Sequence, residues 1–180
     1  MLKGNIRQIL ITILIVVVIF LGMHYSLQSF TVSGQSMEPS FVDGEWLLVD
    51  KLTYRFSSPG RGDVIIFNPP VNSDQPYIKR IIGLPGEFIE IKDSRIYISN
   101  DEGDFEYVET TDLPDISPSY SKSWQIPEDS YFVLGDNRPV SGDSRSFGPV
   151  PRENIVGRVW IRYWPPSEWG LSPGYSASLE

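Results

Sequence analysis

The chain is 180 residues long and sets 15 Lys and Arg side chains against 23 Asp and Glu, a formal charge of -8 at neutral pH. That length holds one ordinary domain with some chain to spare, and an acidic balance argues against a nucleic-acid partner, which needs a basic face. No cysteine is present and His24 is the sole histidine, so disulfides, thiolate zinc sites and cysteine nucleophiles are excluded, and any histidine triad or metal site would have to draw on one residue. Enzymatic chemistry is left to hydroxyls, carboxylates, lysine and the backbone, without a cofactor.

Ile9 to Met23 is apolar except for Thr12 and Gly22, and no charge falls between Arg7 and Glu38. Gln8 to Leu27 makes a 20-residue segment, about what a helix needs to cross ~30 Å of hydrocarbon. A cleaved signal peptide is the competing reading, but no Ala-x-Ala-like site follows. A buried core helix would show a polar face, and this segment has none. Lys3 and Arg7 are the only charges ahead of it, so the positive-inside rule keeps residues 1–7 cytoplasmic and exports 28–180. His24 then lies at the exit interface. The exported part keeps 13 basic and 23 acidic side chains, a charge of -10; it will not be held by anionic headgroups and must meet membrane lipid through apolar and aromatic groups. Trp46, Trp124, Trp160, Trp164 and Trp169 are the candidates for that contact.

Beyond residue 30 the chain reads as β-structure. Glu45–Lys51, Asp63–Phe67, Tyr77–Ile82, Phe88–Ile98, Tyr131–Leu134 and Gly157–Tyr163 are short runs rich in β-branched and aromatic residues. Asp43-Gly44, Pro59-Gly60, Asn68-Pro69-Pro70, Pro85-Gly86 and Gly135-Asp136-Asn137 separate them as turns. Fifteen glycines and fifteen prolines leave no room for a second long helix. The expected fold is mainly β, one antiparallel domain behind one N-terminal transmembrane helix. Residues 100–123, with seven acidic side chains between Asn100 and Asp115, read as a solvated insertion or hairpin. Residues 164–180 read as a tail with little strand character.

Three segments bear chemistry. Ser33-Gly34-Gln35-Ser36-Met37-Glu38-Pro39-Ser40 is a turn that can present the Ser36 hydroxyl beside backbone N–H groups, as acyl transfer requires; it also reads as a plain linking loop. Lys79 lies among Ile78, Ile81 and Ile82, and burial there would lower its pKa enough for a neutral amine to take a proton from serine. Strand alternation puts Lys79 on one face with Tyr77 and Ile81, and Arg80 on the other, so one of the two cations should point to the core. Gly135 to Arg145 is dense in turn formers but misses the calcium-loop pattern, with Arg138 and Val140 where ligands belong. In it Ser141 could hydrogen-bond an amine, and Asp143 and Arg145 could pair.

Taken in order, these segments resemble the motif set of bacterial type I signal peptidases. Ser33–Ser40 is similar to the box S-G-x-S-M-x-P-T; Gly44–Lys51 and Gly62–Ile65 resemble the two that follow. Lys79–Glu87 fits K-R-x-x-G-x-P-G-D, and Gly135–Gly148 fits G-D-N-x-x-x-S-x-D-S-R-x-x-G. The resemblance implies a membrane-bound serine endopeptidase with a β-sheet domain of signal-peptidase type, whose partners are signal-peptide-bearing pre-proteins. It implies Ser36 as nucleophile, Lys79 as general base, Ser141 as the residue that orients the amine, and Asp143 with Arg145 as a structural pair. The Ser36 N–H would be one oxyanion donor. Some members carry a serine hydroxyl two positions before the nucleophile as the second; here that position is Gly34, so its backbone, a water or another residue must serve. Val32, Met37 and Ile78 are the implied substrate contacts, although alternation puts Ile78 opposite Lys79. Ser40 and Glu87 replace the family's usual Thr and Asp. A self-cleaving regulator would need a DNA-binding domain; a binding-only β-domain would leave the Ser36, Lys79 and Ser141 set without a cause, and an inactive paralogue would keep it without using it.

Overall fold

The computed structural model describes residues 2–71, 73, 75–93, 95–100, 106–110, 121–173 and 177–179. Its first element is a 25-residue helix, α1 (Leu2–Ser26), about 37 Å long at 1.5 Å per residue. The side chains described on it between Ile6 and Phe20 are exposed. The side chains at 2–5, 19, 21, 23 and 24 lie outside the described set, and among the described residues no helix is long and apolar enough to cross a membrane. The helix stops one residue short of the segment read from the sequence. Leu27 already belongs to β1 (Leu27–Thr31), which pairs antiparallel with β2 (Trp46–Asp50).

After β2 and the one-turn helix α2 (Thr53–Phe56), the chain continues through β3 (Val64–Phe67), β4 (Tyr77–Gly83), β5 (Phe88–Lys92), β6 (Arg95–Ser99), β7 (Glu106–Thr110), β8 (Lys122–Gln125) and β9 (Ser130–Leu134). One further turn of helix, α3 (Ser144–Phe147), precedes β10 (Val150–Pro151), β11 (Ile155–Trp164), β12 (Gly170–Leu171) and β13 (Ala177–Leu179). All pairings are antiparallel. An eight-stranded sheet runs β1-β2-β11-β3-β4-β9-β10, with β12 added to β11; a five-stranded sheet runs β13-β7-β6-β5-β8. Sequential hairpins explain most neighbours. The ten-residue β11 returns from the far end of the chain to lie between β2 and β3, which only tertiary burial can specify.

Three apolar clusters hold the sheets. Val32, Met37, Phe41, Leu47, Val49, Ile66 and Ile78 form one; Ile65, Phe67, Ile81, Tyr131 and Val133 form another; Ile82, Ile89, Ile91, Ile126 and Phe132 tie the smaller sheet to β4 and β9. Strand β4 feeds all three, and every residue in it after Tyr77 is buried. Its near-continuous apolar run is thus the mark of a strand covered on both faces.

The structure adds detail to three sequence readings. The 164–180 segment, read as having little strand character, carries two short strands: β12 pairs with β11, and β13 pairs with β7. Within 100–123, Glu106–Thr110 is a regular strand paired to β6, and Lys122–Gln125 pairs with β5; residues 101–105 and 111–120 lie outside the described residues. Strands β8 and β12, at sheet edges with mostly exposed side chains, carry few apolar residues. Trp124 is half-buried and packs on Phe132 at 4.8 Å between ring centroids, so it is a core residue. Trp46, Trp160, Trp164 and Trp169 are exposed.

Candidate active site

The segment between β1 and β2 folds as a loop with a closed neck. Val32 N–H donates to Glu45 O at 2.8 Å and Gly44 N–H to Val32 O at 3.0 Å. Inside the neck Met37 and Phe41 are fully buried and pin the loop from below, leaving Ser36 half-exposed above them. Gly34 sits at φ 86, a left-handed backbone that residues with a Cβ rarely adopt. Ser36 N–H makes no hydrogen bond among the described residues.

Lys79 Nζ donates to Ser36 Oγ at 2.7 Å and to Ile78 O at 2.8 Å. The lysine is 4 % exposed, and the amine lies 5.5 Å from the centroid of the Tyr77 ring. Burial pulls its pKa down to about 8 from the ordinary 10.5, with the negative Asp143 and Asp136 acting in the other direction. A base that is half neutral near pH 8, hydrogen-bonded to a hydroxyl, can accept that hydroxyl's proton. Arg80, its neighbour, is equally buried. The guanidinium grips Asp136 with Nε–Oδ1 2.9 Å and Nη2–Oδ2 2.7 Å. It also donates through Nη1 to Gly62 O at 3.0 Å and Pro173 O at 3.2 Å. Both cations therefore turn inward, because β4 is covered on both faces and each cation has polar partners.

The turn after β9 closes on the nucleophile loop. Asn137 N–H donates to Ser36 O at 3.0 Å. A Cβ on Gly135 would collide with Ser141 Oγ and with the Ser36 carbonyl oxygen, so only glycine permits this approach. Asp143, fully buried, accepts from Gly135 N–H at 3.1 Å and from Arg145 through Nε and Nη2, both at 2.8 Å. Arg145 Nη2 reaches on to Arg138 O at 2.6 Å. Ser141 Oγ is buried and has no hydrogen-bond partner among the described residues; the Lys79 amine is bonded to Ser36 Oγ and Ile78 O instead.

A groove of about 790 Å³ opens over the pair, lined by residues 28–33 and 75–79 together with Ser36, Leu47, Ile66 and Gly142. Val32 and Ile78 both line it, alongside Lys79. The conflict with strict alternation disappears because the lysine side chain bends back over its own strand to the Ile78 carbonyl. Met37 does not line the groove: it is fully buried beneath the loop. Strand β1 is the edge of its sheet, and β4 pairs with β9 only from Arg80 onward, so two strand edges border one groove. Among the described residues no cluster of three or more His, Cys, Asp or Glu side chains is placed to hold a metal ion.

The sequence reading passed over Arg80–Asp136, Asn137 and Gly135 as contributors to the site. The K-R and G-D-N pairs were visible, but nothing local indicated that they would meet. Glu87, standing where an Asp is usual, bonds Leu84 N–H at 2.7 Å and Arg61 at 2.6 Å across the Pro85-Gly86 turn.

The arrangement sets a hydroxyl against a buried amine beside a groove. Residues 5–164 match the family described as signal peptidase, peptidase S26. Signal peptidase IB of Staphylococcus aureus (strain COL) is 35 % identical over 185 residues, covering 93 % of this chain and 94 % of the relative. A probable signal peptidase I-2 of Synechocystis (strain PCC 6803) is 36 % identical over 145 residues, 78 % of this chain and 64 % of that protein. The crystal structure of a signal peptidase I from Enterococcus faecalis V583 is 33 % identical, covering 57 % of this chain and 97 % of the other with a TM-score of 0.47. The chain belongs to the signal peptidase family, peptidase S26, and is a hydrolase of the signal peptidase I class.

Proposed function

We propose that the protein removes N-terminal signal peptides from exported pre-proteins by acyl-enzyme hydrolysis, with Ser36 as nucleophile and Lys79 as general base. The observation that carries this reading is the 2.7 Å contact between the buried Lys79 Nζ and Ser36 Oγ at the groove. The pre-protein segment lies extended between the β1 and β4 edges as an added strand. Val32 and Ile78 leave room there for small side chains one and three positions before the cut, the Ala-x-Ala pattern. Lys79 takes the hydroxyl proton as Ser36 attacks the scissile carbonyl, and the unpaired Ser36 N–H donates to the developing oxyanion. The lysinium then protonates the leaving amine. With the amine neutral again, a water attacks the ester through the same base and frees the signal peptide. Ser141 orients the amine once Ser36 is acylated and its Oγ no longer accepts from Nζ. Asp143 and Arg145 hold the Ser141 loop in place.

The site works best where its substrate emerges. Lys3 and Arg7, the uncharged stretch from Gln8 to Gln35, and the continuous helix leading into β1 support α1 as a membrane anchor with a cytoplasmic N-terminus. Ser26 O, at the end of the helix, accepts from Lys51 N–H at 2.9 Å, so the anchor joins the groove's own edge strand directly. The exposed Trp46, Trp160, Trp164 and Trp169 suit an interfacial position.

The test is cleavage of a pre-protein with an Ala-x-Ala site in detergent and phospholipid by wild type, Ser36→Ala and Lys79→Met. Cutting after the second Ala by wild type alone is expected. Cleavage that survives either substitution would remove the dyad, and a folded but inactive wild type would remove the activity.

A further inference from the structure

The Ser36 loop owes its shape to a residue outside the dyad. Gly34, two residues before the nucleophile, stands at φ 86 in an exposed turn with open space where a side chain would be. Glycine populates positive and negative φ about equally, so neither sterics nor packing holds this conformer. What does hold it is Asp43: its Oδ1 accepts the Gly34 N–H at 2.7 Å across the neck of the loop. A carboxylate acceptor makes this a charge-assisted bond, stronger than a neutral one. The neck itself is tied by the Val32 and Gly44 backbone bonds, which fix where Asp43 stands. Ser36 is held by Asn137 N–H on its own carbonyl; before it, Gln35 O accepts from Glu38 N–H at 3.2 Å within the turn, and the Asp43 bond ties Gly34 across the neck to the far side of the loop.

From this geometry we infer that Asp43 is a positioning residue for the reaction: its carboxylate locks Gly34 and thereby aims the Ser36 hydroxyl and N–H into the groove. The inference rests on the reading of Ser36 as nucleophile. It also settles how the Gly34 amide is used. That N–H is spent on Asp43 and points to it, so it does not donate to the oxyanion; the second donor comes from elsewhere. Asp43 touches neither substrate nor reacting atoms, and the groove walls that bind substrate do not include it. Its loss should therefore appear in turnover and leave binding in place.

The experiment measures kcat and KM on the Ala-x-Ala pre-protein for the full-length wild type, Asp43→Ala, Asp43→Asn and Ser36→Ala, with thermal unfolding of each. Asp43→Ala is expected to lower kcat by about tenfold or more with KM within about twofold, as for a misaimed nucleophile. Asp43→Asn keeps an acceptor oxygen and should recover a substantial part of the lost kcat. Wild-type kcat in Asp43→Ala, beside a dead Ser36→Ala, overturns the inference and leaves the dyad standing. A loss confined to KM, or equal losses in the Ala and Asn variants at unchanged Tm, also overturns it. Should Asp43→Ala fail to fold, Asp43→Leu, similar in size but without an acceptor, takes its place: kcat indistinguishable from wild type in that variant would contradict the role. An inactive wild type would overturn the nucleophile and this role together.

Discussion

Lys79 carries two opposed demands, and both can be measured. Burial keeps its amine neutral above about pH 8, so kcat/KM is expected to climb with pH through a midpoint near 8 and to level off above it; a flat profile from pH 6 to pH 10 would rule out the lysine as base. The same burial destabilises the fold. The folded pKa lies below the unfolded one, so the unfolded chain binds more protons between about 8 and 10.5, and stability must rise with pH across that window. Below it the penalty is complete, of the order of 3 kcal/mol for a shift of this size. Lys79→Met should therefore be inactive yet unfold at a higher temperature than wild type at pH 7, with the difference shrinking toward pH 10.5. Serine, lysine and their apolar setting could all be read along the chain. Their contact could not, since 43 residues separate them and nothing local sets that distance.

At the scale of elements, the site is three segments locked by backbone contacts and one buried ion pair. Gly135 lies where the turn after β9 meets the Ser36 loop, and Gly135→Ala would force the two apart. A shift of about 1 Å costs roughly a hundredfold in rate, so this variant should lose at least that much in kcat while the sheets still form, as circular dichroism would report. Arg80 and Asp136 are 2 % and 0 % exposed. Removing one partner strands a buried charge, which costs about 3–5 kcal/mol; Asp136→Ala should show it as an earlier midpoint in urea, and a midpoint equal to wild type would refute the argument. The strands rich in β-branched residues were legible from their pattern. Strands β1, β8, β12 and β13, all at sheet edges, were not, because edge positions tolerate polar sequence. Equally hidden was the burial of both Lys79 and Arg80: alternation separates their faces but does not reveal that both faces are covered.

Over the whole molecule, the C-terminal segment is a brace. Pro173 O accepts from the buried Arg80. Arg162 donates to Ser40 O at 3.2 Å, to Glu45 at 3.1 Å and to Glu168 O at 2.6 Å, joining the nucleophile loop to residues beyond β11. Truncation after Trp164 would remove β12, β13 and the Glu168 and Pro173 carbonyl acceptors. It is expected to lower Tm by at least several degrees, since ~1 kcal/mol corresponds to about 2–4 °C at this size, and to reduce turnover with it. An unchanged Tm would mean the tail contributes no net stabilisation.

What the sequence determined by itself was chemical: no cysteine, one histidine, an apolar N-terminal run, and a serine, a lysine and a Gly-Asp-Asn turn in an order shared with one peptidase family. Residue type and spacing suffice for that, because they limit which groups can act as nucleophile and base. The tertiary structure decided the rest. It bent Lys79 over its strand to Ser36, sank Met37 beneath the loop, buried Arg80 against Asp136, and set the Asp43 carboxylate on the Gly34 amide. Each of these depends on where distant strands pack, and desolvation and hydrogen bonding across that packing have no counterpart in the local sequence.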